Sequence, residues 1–249
     1  MAKLKSIFNL EGTLGEMTFY KHRNGHYFIK RKSSISKTRI ARDPAFARTR
    51  ENCEEFSGFN TAGRLIRRGS SAFLNSAKDP DVVTRLVAVL AKVKNLDFNS
   101  ARGKRTVGNG LLTAEGKRLL KGFDFNAKSS LGTLLLSPYS LQANYVFALQ
   151  AFVPATMVRY PEHSTHVAFR TGLLRVDFEL ETSIMDYSAV ALLPLDMTAV
   201  DLSLTPNSVP AGNGILFWMV LVEFFQEVNG VHYPLNDQTY NSFHVLDVE

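Results

Sequence analysis

From about Leu131 to its end the chain carries short runs rich in β-branched and aromatic residues, separated by turns that hold proline or glycine. Eight such runs stand at 133–136, 145–153, 166–169, 173–182, 188–195, 215–226, 231–233 and 242–248. The turns include Val153-Pro154, Tyr160-Pro161, Thr205-Pro206, the stretch VPAGNG at 209–214, and Asn229-Gly230. Proline removes a ladder donor and glycine admits φ > 0, so both end strands. Strands at this spacing predict an antiparallel β-sandwich, Ig-like or jelly-roll-like. Within 175–181 the pattern alternates: Val176, Phe178 and Leu180 on one face, Asp177, Glu179 and Glu181 on the other.

The first 130 residues follow other periods. Two runs, 17–22 and 26–31, flank Asn24-Gly25, a pair suited to a type I′ hairpin turn, which needs φ > 0 at both central positions. An isolated hairpin is marginal in water, so this one needs cover from its own chain or a neighbour. Residues 33–42 (SSISKTRIAR) are polar and basic and are expected to be extended. Asp43-Pro44 then reads as the N-cap and first position of a helix. Phe46, Cys53, Phe56, Phe59, Gly63 and Ile66 form its apolar stripe, and Gly69 its stop. Gly58 and Gly63 mark a kink or a close helix crossing. A second helix opens at Asp79-Pro80 and turns Val82, Val83, Leu86, Val89, Leu90 and Val93 to one side. A basic loop at 99–110 and a short helix capped by Thr113 complete the region. The expected fold class is α+β: a basic hairpin and helical region at 1–130, then an acidic β-sandwich domain at 131–249.

Charge divides at the same place. Every lysine lies at or before Lys128. Residues 1–130 hold 26 Lys+Arg against 11 Asp+Glu, a balance of +15, and residues 131–249 hold 3 against 12, a balance of −9. A basic half of this size implies an anionic partner, either nucleic acid or the acidic half of another copy. Cys53 is the lone cysteine, so a disulfide-stapled scaffold is excluded. The longest apolar stretch, 215–225, is too short to span a bilayer and holds Glu223, so no membrane insertion is expected. Lys3 and Lys5 precede only Ile7, Phe8 and Leu10, too little for a signal h-region. The expectation is cytoplasmic synthesis without a signal peptide, with an extracellular or particle-associated location left open.

The stretch GTLGEMTFY at 12–20, followed by DPAFARTREN at 43–52, resembles the opening of small uncharacterised bacterial proteins whose C-terminal part is β-rich. The resemblance covers roughly the first 70 residues. It implies a module found in proteins with no assigned enzymatic role, and it transfers no catalytic residues.

The residues themselves show no reaction centre. His22 and His26 flank the hairpin turn, diagonal to each other, and lack the further ligands a metal needs. Glu162, His163 and His166 form E-H-x-x-H after Pro161, but no helix presents them as in a zincin, so a surface loop is expected. Asp177, Glu179 and Glu181, about 7 Å apart along a strand, read first as a solvated outer face, and otherwise suit Ca²⁺, an acid/base pair or a docking strip for a neighbour's arginines. Cys53 has Arg48 and Arg50 nearby, yet its place on the stripe makes it a core residue. Gly108-Asn-Gly110 lacks the strand and Lys-Ser/Thr of a phosphate loop, and no serine sits in G-x-S-x-G. No catalytic residue, cofactor or metal is therefore assigned.

What remains is a partner surface. Lys30, Arg31, Lys32, Lys37, Arg39 and Arg42 crowd one segment beside Phe19, Tyr20, Tyr27 and Phe28. The expected function is non-enzymatic: self-assembly into a filament, tube or shell. This basic arm would meet Asp177, Glu179 and Glu181 of the next copy, head to tail. Cations interleaved with aromatic rings also suit nucleic acid, so a coat-like packaging protein is the second expectation.

Overall fold

The computed structural model describes residues 2–3 (backbone alone), 10–22, 24–32, 35–235 and 238–249. Lys5, Ile7, Phe8, Arg23, Ser33 and Ser34, which entered the expectations above, lie outside the described residues. In chain order the elements of the first part are β1 Ala2–Lys3, β2 Gly12–Leu14, β3 Met17–Lys21, β4 Tyr27–Arg31 and α1 Lys37–Arg42. Then come α2 Ala47–Gly69, α3 Ser71–Leu74, α4 Val82–Val93, α5 Val107–Leu111, α6 Ala114–Leu120 and α7 Leu131–Leu134. The remainder is β5 Ser140–Gln142, β6 Val146–Phe152, α8 Pro154–Met157, β7 His166–Asp177, β8 Thr182–Tyr187 and β9 Ala191–Pro194. It ends with β10 Val200–Leu204, β11 Ile215–Val228, β12 Val231–Pro234 and β13 Ser242–Val248. The fold is mixed α+β with antiparallel sheets.

Two compact units result, Met1–Glu51 and Asn52–Glu249, so the chain divides within α2 and not at 130/131. The reason is burial: Phe59, Ile66, Phe73, Leu86 and Leu90 share one core with Leu174, Phe217, Met219 and Phe243. The helical residues from Phe59 to residue 130 therefore cannot be parted from the strands downstream.

The first unit holds a four-stranded sheet in the order β1-β4-β3-β2. Leu14 pairs with Met17 across Gly15-Glu16, and Gly15 has φ +57°, as the first central position of a II′ turn requires. The expected I′ turn at Asn24-Gly25 is absent. Only Gly25 has φ > 0, its amide donates to the His22 carbonyl (2.9 Å), and the His22 amide donates to the His26 carbonyl (2.8 Å). His22 and His26 thus face each other and are not diagonal. Residues 37–42, expected to be extended, form α1 because Ser36 Oγ accepts the Arg39 amide at 3.1 Å. Asp43 does begin the next helical segment, accepting the Ala45 amide at 2.9 Å.

The second unit is built on two long strands, β7 and β11, paired from Ile215↔Val176 to Phe225↔His166. The other edge of β11 takes β13 and then β12, and the other edge of β7 takes β8 and then β9. Alternate residues of β11 enter different cores. Phe217, Met219 and Leu221 join the helices, while Leu216, Trp218, Val220 and Val222 join Phe147, Leu149 and Phe152 of β6 and Leu202 and Leu204 of β10. Both faces are covered, which explains the unbroken apolar run at 215–222.

Several expected elements differ. The runs 166–169 and 173–182 are one strand through Gly172 up to Asp177, followed by a turn. Residues 131–134 are helical, because Leu131 and Leu134, three apart, bury together while Ser130 and Thr133 bond locally. β10 was not among the expected strands. Within 99–110, residues from Val107 onward form α5, capped by Thr106. Gly110 allows α5 to abut α4: a Cβ there would stand 2.1 Å from the Val93 carbonyl oxygen. Gly63 marks the close helix crossing, with Leu90 Cδ1 3.2 Å from where its Cβ would be. Cys53 and Phe56 are exposed, since the buried face of α2 runs through Glu55, Phe59, Ala62 and Ile66.

Two carboxylates order the loop before α5. Asp97 accepts the Ser100 and Thr106 amides (3.1 and 3.0 Å) and the Asn109 side-chain amide (3.1 Å). Glu55, 3% exposed, accepts the Gly103 amide (2.8 Å), both Arg105 Nε and Nη2 (2.8 and 3.0 Å), and Lys94. Thr113 Oγ1 accepts the Gly116 amide at 3.0 Å and caps α6, as expected. Thr113→Ala is expected to lower unfolding free energy by about 1 kcal/mol in urea melts.

Candidate functional site

Strand register decides which side chains share a face. In the first unit Phe19 pairs with Ile29, Tyr20 with Phe28 and Lys21 with Tyr27. One face therefore carries Leu14, Met17, Phe19, Lys21, Tyr27, Ile29 and Arg31, and the other Thr13, Thr18, Tyr20, Phe28 and Lys30. The four aromatic residues expected to act together are split in pairs. Tyr20 and Phe28 stack at 6.0 Å with Lys30 Nζ 5.4 Å from the Tyr20 ring, while Lys21 Nζ lies 5.7 Å from the Tyr27 ring.

No described residue of Met1–Glu51 is buried. Leu14 is 76% exposed and Met17 54%, and Phe19, Tyr27 and Ile29 are only half-buried. The unit holds 12 Lys+Arg against 4 Asp+Glu, a balance of +8. Its basic residues do not form one extended arm. Lys30 and Arg31 end β4, and Arg31 pairs with Glu16 at 3.1 Å. The Lys32 amide bonds the Glu16 carbonyl, and Lys37, Arg39 and Arg42 lie on α1. Arg39 Nε meets Asp43 at 3.1 Å, and the Ala45 amide together with Arg39 holds the Asp43 carboxyl below its ordinary value.

The expected acidic strip is a turn. β7 ends at Asp177, whose Oδ1 accepts the amides of Glu179 and Leu180, both at 2.9 Å. Asp177 is thus spent on closing the β7–β8 connection, and Glu181 has φ +52°. Glu179 and Glu181 are exposed, and Glu181 stands 4.0 Å from Arg64. The three carboxylates do not line one face of a strand, because a side chain that caps its own turn ends the alternation.

The E-H-x-x-H stretch is likewise divided. Glu162 and His163 line a cleft with Gln226, Tyr233, Leu235 and Tyr240. Gln226 pairs with Tyr233, whereas Glu227 pairs with His232, so the cleft lies on the side of the hairpin opposite Glu227 and His232. His166 turns to the latter side. His166, Glu227 and His232 place their ligating atoms within 4.8 Å of one another. Glu227 and His232 were not among the residues singled out from the sequence. A signal was present: Asn229 and Gly230 have φ +52° and +77°, a I′ turn, and such a turn sets the residues two before and two after it directly opposite. The exposed pair Leu14 and Met17 had the same kind of signal in Gly15-Glu16.

No family model, curated protein or solved structure matches the chain.

Proposed function

We propose that this chain is a non-enzymatic structural protein that assembles with copies of itself into a filament, tube or shell through the sheet of its first unit. The observation that carries this reading is that Met1–Glu51 shows no buried residue among those described, while its sheet turns Leu14 and Met17 to solvent. A sheet in which no described residue is fully buried gains too little from burial to hold itself. Another copy supplies both cover and charge: the first unit carries +8, whereas the second, with 17 Lys+Arg against 19 Asp+Glu, carries −2. With Asp177 occupied and Glu181 beside Arg64, Glu179 is the carboxylate of that turn left for Lys30, Lys32 and Lys37. A head-to-tail contact whose rotation does not close propagates into a polymer. We read the three-stranded sheet β10-β6-β5 and the six-stranded sheet as the two layers of a β-sandwich, a reading supported by the apolar cluster their strands share.

Electron microscopy of nuclease-treated full chain tests the reading, at low salt and at about 0.5 M, where the Debye length falls to a few Å. Regular polymers at low salt, free of nucleic acid and fewer at high salt, are expected. Dispersed monomers under both conditions would remove the reading. One observation favours a nucleic-acid partner instead: the Tyr20–Phe28 stack with Lys30 beside it is the kind of platform on which bases stack. That reading requires copurifying nucleic acid whose binding falls steeply with salt.

A further inference from the structure

We propose that His166, Glu227 and His232 bind a first-row transition-metal ion of the zinc class. Three adjacent strands bring them together. The I′ turn at Asn229-Gly230 puts His232 opposite Glu227, and His166 pairs with Phe225, two residues before Glu227 and on the same face. His166 Nε2 stands 3.8 Å and His232 Nε2 3.9 Å from Glu227 Oε2, and the two rings meet edge to face at 4.4 Å. These gaps are too long for hydrogen bonds.

Thr165 positions His166. Its Oγ1 accepts the Glu227 amide at 2.7 Å and donates toward the Phe225 carbonyl at 3.4 Å. That hydroxyl also stands 2.9 Å from His166 Nδ1, so one side chain holds both the His166 ring and the backbone of Glu227. A hydrogen bond that orients the outer nitrogen of a histidine is the support that metal-bound imidazoles use.

Two imidazoles and one carboxylate select zinc-like ions over Mg²⁺ or Ca²⁺, which prefer all-oxygen shells. Ligand atoms about 2.1 Å from a tetrahedral zinc stand roughly 3.4 Å apart. Closing the gaps to Glu227 needs about half an ångström each, and the two imidazole nitrogens, within 4.8 Å of each other, must approach to roughly 3.4 Å as well, within reach of the exposed side chains of Glu227 and His232. Water would complete the shell.

The test is equilibrium binding of Zn²⁺ to chelator-stripped full chain. One Zn²⁺ per chain is expected, not displaced by Mg²⁺ or Ca²⁺. His232→Ala and Glu227→Gln should each weaken binding by roughly tenfold or more, and Thr165→Val by about tenfold. His163→Ala, across the hairpin, should leave it unchanged. His232 is exposed on an edge strand, so its variant keeps the fold, which circular dichroism checks. Absence of stoichiometric binding, or binding equal in His232→Ala and the unaltered chain, would overturn the proposal.

Discussion

Glu55→Ala is expected to cost about 3–5 kcal/mol of folding stability, the usual penalty for removing one member of a buried ion cluster. Glu55 is almost wholly buried and receives Arg105, Lys94 and the Gly103 amide. Without it two cations face each other with no counter-charge, and a buried amide loses its acceptor. Against a total of about 5–15 kcal/mol for a domain, this is a large share. The same site predicts acid sensitivity. Hydrogen bonds from Arg105 hold Glu55 down at about 2 against a burial that pushes it up, and Lys94 and the Gly103 amide add to the lowering. A carboxyl whose folded value lies below its unfolded value of 4.5 stabilises fully above pH 4.5. That contribution, roughly 3 kcal/mol, is lost as pH falls from 4.5 toward 2. Urea melts across this window should show the loss in the unaltered chain and a flatter curve in Glu55→Gln. A Glu55→Ala cost below about 1 kcal/mol would mean that the cluster is not closed to water.

The second large effect concerns assembly and not stability. Leu14 and Met17 are paired across the sheet and exposed, so Leu14→Lys with Met17→Glu removes apolar area while supplying an opposite-charge cross-strand pair. The isolated chain should melt as before. If this face packs on another copy, two lost apolar anchors amount to about 4 kcal/mol, or roughly a thousandfold rise in the concentration needed to polymerise. Sedimentation at fixed concentration reads this directly. Polymers that form equally well in the double variant would place the contact elsewhere.

The two Asn-Gly pairs show how far local chemistry reaches. At Asn229-Gly230 it predicts a I′ turn, and both residues adopt φ > 0. At Asn24-Gly25 it predicts the same turn, yet only Gly25 does, and the hairpin closes through His22 and His26. Position within an alternating run misled in the same way at Asp177, where the carboxylate bonds the next amides and ends the strand.

The sequence by itself determined the α+β class, the Asp43 cap of the helical turn before α2, the end of α2 at Gly69, most of the stripe of α4, the cap of α6 and most strands of the C-terminal half. Each of these rests on interactions within a few residues, or on a periodicity that one element displays alone. Only the tertiary structure decided where the units divide, which face of each strand is covered, and that Glu55 is buried while Cys53 is not. It also decided that His166 meets Glu227 and His232, and not Glu162 or His163. These depend on register and on partners 50 or more residues away, as Glu55 and Arg105 are. No local pattern records such pairings, because they are selected by the joint burial of both faces of β7 and β11.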